Sequence, residues 1–242
     1  MIVLSYNIHS GRGMDGRRFV KRIADVIRSS GADIACLQEV EQRVGWRGSG
    51  DQPKRLAELL GMQAEYHRTL SLKLYDFGNL ILSRYPITSS ARYPLTSMGE
   101  QRGLLEVVVD TGRGPLSVFC THWGLSAEER IVQSRETAAI VSASAFPKVV
   151  CGDLNDTPDS DSVRSLISQA GLRDLAAGSG AAEATYPSDN PRARIDYILS
   201  SPELTARRAF VVDSPASDHK AAGAEVEQGV SSVPRGNTVS AE

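Results

Sequence analysis

The sequence predicts an α/β fold in which two β-sheets pack face to face and helices cover the outside. Short apolar segments typical of strands alternate with longer segments in which apolar residues recur at helical spacing. The strands come in runs that are separated by helices, and stacking two sheets lets each of them bury an apolar face. These patterns alone leave other α/β layouts open.

Strands are predicted where short apolar runs are bounded by turn-forming residues. They cover residues 2–6, 34–37, 63–67, 79–83, 87–92, 104–109, 116–121, 148–151, 195–199, 206–212 and 222–226. The segments 104–109 and 116–121 are expected to form a hairpin across the TGRG sequence at 111–114.

Helices are predicted over residues 17–30, 53–60, 127–143 and 158–169. In the first of them, apolar residues recur at helical spacing from Phe19 to Ile27, and Gly31 is placed to end the helix. In the last, Thr157 suits the N-cap position and Pro158 suits the first helical position.

The composition indicates one domain without a strongly basic surface. The formal net charge is −2, which argues against broad electrostatic contact with nucleic acid, although a bound divalent metal would add local positive charge. No linker or internal repeat divides the chain, so we expect a single catalytic domain over residues 1–227. Residues 228–242 lack periodicity and are predicted to form a disordered tail.

The cysteines and the N-terminus indicate a reducing environment. Cys36, Cys120 and Cys151 each lie in an apolar, strand-like run, so we expect buried free thiols rather than a disulfide framework or a zinc site. The chain begins with a strand pattern rather than a signal peptide, and no segment approaches the ~20 apolar residues that a membrane span needs. We expect a soluble, cytoplasmic monomer.

Polar residues that suit metal or phosphate chemistry stand at the ends of several predicted strands. Asp153 and Asn155 follow the strand at 148–151, and on extended backbone two side chains at this spacing leave on the same face. Asn7 and His9 follow the first strand in the same way. Other strand ends carry Glu39, His122, Asp196, Asp218 and His219.

Each of these residues taken alone also has an ordinary structural explanation. Asn7 is typical of a turn, and Glu39 could be a solvated strand end. Asp196 could pair with Arg192 or Arg194, which are close in sequence. Their joint occurrence at strand ends that could converge on one rim is what favours a functional site.

The segments that carry these residues resemble one family. They read SYNIHSG, ADIACLQEV, GNLILSRYPI, THWGL, VVCGDLNDTP, RIDYIL and SDHKA, in that order, over residues 2–226. This series resembles the endonuclease/exonuclease/phosphatase superfamily, the DNase I-like proteins. The resemblance implies a four-layer α/β sandwich of two mostly antiparallel sheets flanked by helices, a divalent metal (Mg²⁺ or Mn²⁺) and hydrolysis of a phosphoester.

The resemblance also implies a role for each residue. Glu39 corresponds to the main metal ligand, Asn7 helps to hold the metal site, and Asp218 lies on the metal side of the rim. Carboxylate and amide oxygens are the ligands that a hard divalent cation prefers.

The catalytic residues implied by the resemblance are those of the later motifs. Asp153 would position and deprotonate the attacking water, and Asn155 would orient the phosphoryl group. His219 would contact a phosphate oxygen in the transition state while Asp196 holds its ring. His122 would contact the scissile phosphate or a neighbouring one. Such donors stabilise the charge that develops on the phosphoryl oxygens.

One position departs from the pattern of many nucleases in the family. They have an aspartate two residues after the first asparagine, where this chain has His9. An imidazole is a poorer partner for a hard cation, so His9 is expected either to bind a substrate phosphate or to be structural. The change weakens the case for abasic-site nuclease activity.

The substrate depends on the loops around the rim, at 11–16, 42–52, 93–102 and 178–194. Candidate anion contacts on these loops are Arg12, Arg43, Arg47 and Arg102, and the loops also hold Trp46 and Tyr186. Three hypotheses follow: a nuclease or nucleotide phosphodiesterase, which is favoured, a phosphoinositide or phospholipid headgroup phosphodiesterase or phosphatase, and an inactive binding module. The THWGLSAEER segment resembles small bacterial members with lipid-remodelling relatives, which keeps the second hypothesis open.

Overall fold

The computed structural model describes residues 1–43, 50–73, 75–177 and 183–229. Its helices are α1 (Val20–Ser30), α2 (Gln52–Leu60), α3 (Ala127–Ala143) and α4 (Asp161–Gln169). Its strands are β1 (Ile2–Asn7), β2 (Ile34–Arg43), β3 (Gln63–Leu72), β4 (Tyr75–Ser83), β5 (Ile87–Leu95), β6 (Arg102–Asp110), β7 (Pro115–His122), β8 (Lys148–Asp153), β9 (Arg173–Asp174), β10 (Asp196–Ser200), β11 (Leu204–Val212) and β12 (Ala221–Gln228).

The strands form two six-stranded sheets, with the orders β11-β12-β1-β2-β4-β3 and β5-β6-β7-β8-β10-β9. Within each sheet one neighbouring pair is parallel, β1 with β2 and β7 with β8, and the other pairs are antiparallel. The predicted pair of mostly antiparallel sheets is confirmed, as is the hairpin of β6 and β7.

Three apolar layers hold the sheets and helices together. One lies between the sheets and includes Val3, Ile81 and Val118. A second packs α1 and α2 against the first sheet, and a third packs α3 and α4 against the second sheet. The molecule is therefore the four-layer sandwich that the resemblance implied, with helices on both outer faces.

The parallel pairs decide where polar strand ends collect. β1 and β2 run in the same direction and end at one edge of the first sheet. β7 and β8 end at one edge of the second sheet, and antiparallel β10 begins beside the end of β8. These edges adjoin, because Asn7 at the end of β1 is hydrogen bonded to Asp153 at the end of β8. We call this end of the sandwich the top edge.

The start of α4 differs from the prediction. The helix begins at Asp161, and its N-cap is Ser160, whose side chain accepts from the N–H of Val163 (3.3 Å). Thr157 and Pro158 belong instead to a preceding turn, closed by the bond from Ser160 N to Thr157 O (3.0 Å). The predicted and the observed N-cap are both hydroxyl residues. Pro158 misled the prediction because proline suits the second position of a turn as well as the first position of a helix.

Several other boundaries also differ from the predictions. α1 begins at Val20 rather than at residue 17, because Arg12 and Arg18 pair across a tight loop. β2, β3 and β4 extend beyond the short apolar runs from which they were predicted. The two-residue strand β9 was not predicted.

The remaining predictions concern the cysteines, the membrane and the tail. Cys36, Cys120 and Cys151 are buried free thiols, as expected. In the described ranges, no helix has the length and hydropathy to cross a membrane. β12 continues to Gln228, and the rest of the predicted tail, from residue 230, lies outside the described residues. The single domain and its tail stay predictions.

Candidate active site

The strand ends of both sheets meet at the top edge and bring the predicted site residues together. Asp153 is the register partner of both His122, at the end of β7, and Asp196, at the start of β10. Asn7 reaches from the other sheet and donates from Nδ2 to Asp153 Oδ2 (3.0 Å). His219, on the loop between β11 and β12, places Nε2 at 3.6 Å from the same oxygen.

Backbone strain is concentrated at this site. Among the described residues, the non-glycine residues with a positive φ are His9 (44°), Ser10 (52°), Glu39 (55°) and Asn155 (50°). Such a conformation costs a residue with a Cβ about 1–3 kcal/mol, and it persists where the surrounding structure imposes it. His9, Glu39 and Asn155 are residues that the sequence already assigned to the site.

The Asn7 amide is fixed by partners on both of its polar atoms. Oδ1 accepts from the backbone N–H of His9 (3.1 Å), while Nδ2 donates to Glu39 Oε1 (3.1 Å) and to Asp153 Oδ2 (3.0 Å). A backbone N–H only donates, and a carboxylate only accepts, so the amide orientation is determined. Asn7 therefore links the two carboxylates, and its part in holding a metal stays a prediction.

Glu39 projects into the site from a β-bulge. The pairing of β2 with β4 shifts register between Leu37 and Val40, and a bulge of this kind re-aims one side chain without ending the strand. The small cleft beside it is lined by, among others, Glu39, Asn79, Glu100, Arg102 and His122.

Glu100 is a carboxylate at this cleft that the sequence analysis did not select. Burial raises the pKa of Glu100, Arg102 opposes the rise, and the charge of Glu39 adds to it. Carboxylates that share a cleft repel each other, and a nearby cation relieves that repulsion. In the sequence, Glu100 stands in a loop with no pattern that distinguishes it from a solvated glutamate.

His219 is held between two buried aspartates. Its Nδ1 bonds to Asp196 Oδ2 (3.0 Å), and its Nε2 faces Asp153 Oδ2. Burial alone would lower the pKa of His219, but the negative charges of Asp196, Asp153 and Asp218 outweigh burial and raise the pKa to about 10. The ring is therefore an imidazolium at neutral pH, and Asp196 orients it.

Asp153 is a carboxylate of unusual basicity. Burial raises the pKa of Asp153 to about 7, and the charge of Asp196 adds to the rise. The His219 imidazolium and the hydrogen bonds from Asn7 and from the backbone of Asn155 (2.9 Å) oppose it. A carboxylate with a pKa near neutrality is a better proton acceptor than an ordinary aspartate. This environment suits Asp153 to take a proton from water.

His122 is neutral, and its proton can be assigned. Burial lowers the pKa of His122 well below its ordinary value, and the charges of Arg102 and His219 lower it further. A guanidinium only donates, so the contact from Arg102 Nη1 (3.1 Å) makes His122 Nδ1 the acceptor. The proton of the neutral ring then lies on Nε2, which is 3.5 Å from Asp153 Oδ2.

Asn155 and His122 present two N–H donors to one another. Asn155 Nδ2 donates to the carbonyl oxygen of Trp123 (2.9 Å), which fixes the amide orientation, and it also lies 3.1 Å from His122 Nε2. With the His122 proton on Nε2, both groups at this contact are donors. Donors that face each other need an acceptor, and an anionic phosphoryl oxygen would satisfy both.

Asp218 and His9 pair at the rim of the site. Asp218 Oδ1 lies 3.3 Å from His9 Nδ1 and also accepts from the Ser217 hydroxyl (3.2 Å). Both side chains are partly exposed. His9 is thus engaged by a carboxylate beside His219, and its contact with a substrate phosphate stays a prediction, as does the metal-side role of Asp218.

The predicted arginine contacts have different surroundings. Arg102 is only 7% exposed, and its Nη1 serves His122 and Glu100 (3.3 Å), so this guanidinium supports the His122 ring. Arg12 is exposed on the loop after β1. Arg47 lies outside the described residues, as do Trp46 and the side chain of Arg43.

Asp196 does not pair with the arginine that is close to it in sequence. Arg194 forms its ion pair with Asp174 (2.5 Å), and Asp196 is bonded to His219 instead, so the alternative pairing with Arg194 is wrong. Tyr186, on the same loop as Arg194, places its ring centre 4.7 Å from that of His219.

A divalent cation fits the Glu39 side of this site better than the histidine side. Asp153, Asp196 and His219 bring three possible ligand atoms within 4.8 Å of one another. However, His219 Nδ1 is bonded to Asp196 Oδ2 (3.0 Å) and Asp153 Oδ2 accepts from Asn7 (3.0 Å), so each of these side chains already has a partner within the protein. Glu39 offers oxygens whose only partner among the described residues is the Asn7 amide (3.1 Å). Mg²⁺ and Mn²⁺ prefer such oxygens.

Sequence comparison places this site in a known family. The model of the Endonuclease/Exonuclease/phosphatase family matches residues 4–219. The YbhP protein of Escherichia coli K12 is 30% identical over an alignment of 242 positions, which covers 93% of this chain and 95% of that protein.

Structural comparison agrees. An endonuclease/exonuclease/phosphatase structure from Beutenbergia cavernae DSM 12333 has a TM-score of 0.82 and 28% identity, covering 95% of this chain and 72% of the other. The mannosyl-6-phosphatase Bt3783 of Bacteroides thetaiotaomicron VPI-5482 has a TM-score of 0.75 and 20% identity, covering 94% and 99%, and shares the fold. Because the family model matches most of the chain, this protein belongs to the endonuclease/exonuclease/phosphatase family of phosphoester hydrolases.

Proposed function

We propose that this chain is a divalent-metal-dependent phosphodiesterase in which Asp153 accepts a proton from the attacking water. The observation that carries the proposal is the surroundings of Asp153. A carboxylate with a raised pKa lies beside the facing N–H donors of His122 and Asn155 and beside the His219 imidazolium. A base next to several anion-binding groups suits attack of water on a phosphoester.

The residues of the chain divide the work between base, donors and supports. Asp153 orients the water and takes its proton. Asn155, His122 and His219 donate to phosphoryl oxygens, whose negative charge grows in the transition state. Asp196 keeps the His219 ring protonated and oriented. Asn7 fixes the carboxylates of Glu39 and Asp153 relative to each other, so that the metal side and the base keep their spacing.

Mg²⁺ or Mn²⁺ would be held by Glu39, with Asp218 as a further carboxylate on the rim. When bound, such a cation supplies positive charge to the phosphoryl oxygens. The carboxylates that converge here, Glu39 with Glu100 beside it, favour a cation because their negative charges otherwise repel.

The alcohol part of the substrate is not specified by these groups. A nucleic acid or nucleotide is one candidate, although scattered arginines and a net charge of −2 disfavour extensive contact with a duplex. A phospholipid or phosphoinositide headgroup is the second candidate, and the exposed apolar side chains of Met98, Leu125 and Tyr186, on loops beside the site, favour it.

Hydrolysis of bis(p-nitrophenyl) phosphate by chelated protein, with Mg²⁺ or Mn²⁺ added back, tests the proposed chemistry. We expect metal-dependent turnover, and we expect Asp153→Asn to reduce kcat about a hundredfold, as for loss of a general base. Asp159→Asn, an exposed aspartate on the same loop, is the matched control. Full turnover by Asp153→Asn would contradict the assignment of the base.

Metal titration and plasmid nicking separate the remaining parts of the proposal. Glu39→Gln should weaken Mg²⁺ binding in calorimetry, whereas Glu58→Gln, which alters an exposed glutamate on α2, should not. Nicking of supercoiled plasmid by the wild type but not by Glu39→Ala would establish a nuclease. Diester turnover without nicking would leave the lipid and small-phosphoester substrates.

A further inference from the structure

The exposed apolar side chains are concentrated at the top edge of the sandwich. Apart from Val132 on α3, each exposed large apolar residue of the described chain lies on a loop or hairpin there: Met14, Phe19, Leu72, Met98, Leu125 and Tyr186. At the opposite end, where the β6–β7 hairpin turns, the described residues include none. Single exposed apolar residues are ordinary on a protein surface, but their confinement to the end that carries the active site is not.

The two most exposed of these side chains lie on loops that are both anchored to α3. Met98 is 68% exposed and Leu125 is 75% exposed. The N–H of Met98 donates to Glu129 Oε1 (3.1 Å), and Gly124 lies so close to the same carboxylate that a Cβ there would overlap it. The Gly124 N–H itself donates to Gln133 Oε1 (2.8 Å). Glu129 and Gln133 therefore anchor the two loops to α3, while the Met98 and Leu125 side chains are exposed.

These apolar side chains flank the charged centre on two sides. Leu125 follows His122 by three residues on the loop after β7, and Met98 lies on the loop that leads into β6. On the other side, the Tyr186 ring stands over His219 at 4.7 Å and is 38% exposed. A surface that met these side chains together would also meet the catalytic residues between them.

Unpaired positive charge accompanies the apolar residues. Arg12 is exposed on the loop after β1, and Arg192 is exposed next to Tyr186, whose carbonyl oxygen accepts from the Arg192 N–H (2.8 Å). In the part of the chain that the structure describes, neither guanidinium has an ion-pair partner. Arginines at such positions are attracted to anionic lipid headgroups.

We propose that the top edge docks on the surface of an anionic lipid membrane and that the substrate is a phosphoester presented at that surface. The catalytic half of this inference rests on the function proposed above, whereas docking itself requires no turnover. Apolar side chains on separate, anchored loops can each enter the boundary between headgroups and acyl chains. A nucleic acid would instead favour stacked aromatic residues and many cations, and the most exposed residues here are aliphatic.

Co-sedimentation with lipid vesicles tests the docking surface. One set of vesicles is pure phosphatidylcholine, and the other contains equal amounts of phosphatidylcholine and phosphatidylglycerol. We expect the wild type to pellet with the mixed vesicles and less with the pure ones. The double variant Met98→Asp/Leu125→Asp should lose about a hundredfold in vesicle partitioning, about tenfold for each apolar side chain kept out of the lipid.

Val132→Asp is the matched control because Val132 is also an exposed aliphatic residue but lies on α3, off the top edge. It should partition like the wild type. Thermal unfolding of each variant establishes that the substitutions leave the domain folded. The proposal is overturned if the wild type pellets with neither vesicle, or if the double variant partitions as the wild type does.

Turnover of soluble bis(p-nitrophenyl) phosphate, measured on the same preparation, separates this inference from the proposed function. Vesicle binding without any metal-dependent turnover would leave the docking surface and refute the phosphodiesterase. Metal-dependent turnover without vesicle binding would support the phosphodiesterase and refute the docking surface. A third assay compares a phosphodiester lipid in the mixed vesicles with the soluble ester of the same headgroup. Faster hydrolysis of the lipid would support both the docking surface and the phosphodiesterase.

Discussion

Replacing Asp196 by asparagine tests whether one buried carboxylate keeps His219 protonated. Asp196 Oδ2 lies 3.0 Å from His219 Nδ1, both residues are buried, and this pair contributes most to the raised pKa of about 10. Asparagine preserves the shape and one acceptor but removes the charge. The pKa of His219 should therefore fall toward 6.5, while the charges of Asp153 and Asp218 keep it somewhat above that value.

The size of the effect follows from the distance. Two unit charges about 3–4 Å apart interact by ~4–5 kcal/mol at an effective dielectric constant of about 20, and the asparagine dipole and admitted water recover part of this. A net loss of ~3 kcal/mol corresponds to a decrease of about two pKa units. Rates near neutral pH should then change little through protonation, whereas rates at alkaline pH should fall about tenfold or more.

The pH dependence of turnover measures the changes that Asp196→Asn should cause in the pKa values of Asp153 and His219. Activity that needs ionised Asp153 and protonated His219 rises through about pH 7 and falls through about pH 10. Removing the charge of Asp196 lowers the pKa of both groups, so both limbs of the profile should move to lower pH. The four histidines of the chain make the His219 resonance assignable by NMR. A wild-type His219 that titrates near 6.5, or an unmoved alkaline limb in the variant, would refute the reasoning.

Stability should follow the same linkage. The folded-state pKa of His219 lies above its ordinary value of 6.5. Its contribution to folding is therefore complete below pH 6.5 and is lost as the pH rises through about 10. The difference in unfolding free energy between the wild type and Asp196→Asn should be largest below pH 6.5 and should shrink near pH 10. Urea unfolding at the two ends of this range measures it.

Three further substitutions test other parts of the structure. Ser160→Ala should lower the unfolding free energy in urea by about 1 kcal/mol through loss of the α4 N-cap. An equal loss from Thr157→Ala would instead indicate that Thr157 caps the helix, as the sequence predicted. Arg102→Ala leaves the buried Nδ1 of His122 without its donor and should cost about 1–3 kcal/mol in the same assay; unchanged stability would mean that the guanidinium does not hold the ring. Gly124→Ala introduces a methyl group that overlaps a buried carboxylate, so it should lower the thermal midpoint by several degrees, an overpacking cost of about 1–3 kcal/mol. A midpoint equal to that of the wild type would show that the rim loop is loosely held.

The geometry around Asn7 shows how far local sequence reasoning reaches. Its place at the end of a strand was predictable, because apolar β-strands end where polar residues begin. Its bonds to Glu39 and Asp153 cross 32 and 146 positions of sequence and join two sheets. No local pattern contains that contact, so the assignment of Asn7 as a residue that links two carboxylates came from the structure.

Glu39 and Glu100 show two ways in which the site could not be predicted from the sequence. Glu39 was selected from its motif, but the bulge and the positive φ that aim it at the site depend on how β2 pairs with β4. Glu100 carries no motif, and its place beside Glu39 results from the packing of a loop against the strand ends of the other sheet. Both effects arise from pairing between segments distant in sequence, where local propensity is a weak guide.

By itself, the sequence predicted most of the strands and helices from periodicity. The two-sheet fold and the family followed from the resemblance of short motifs that each lie within one segment. The tertiary structure decided which residues share a charge environment. The raised pKa values of Asp153 and His219, the neutral state of His122 and the apolar rim around them exist only after folding has excluded water and brought distant charges within a few ångströms. Burial and distance set those properties, and neither can be read from a linear sequence.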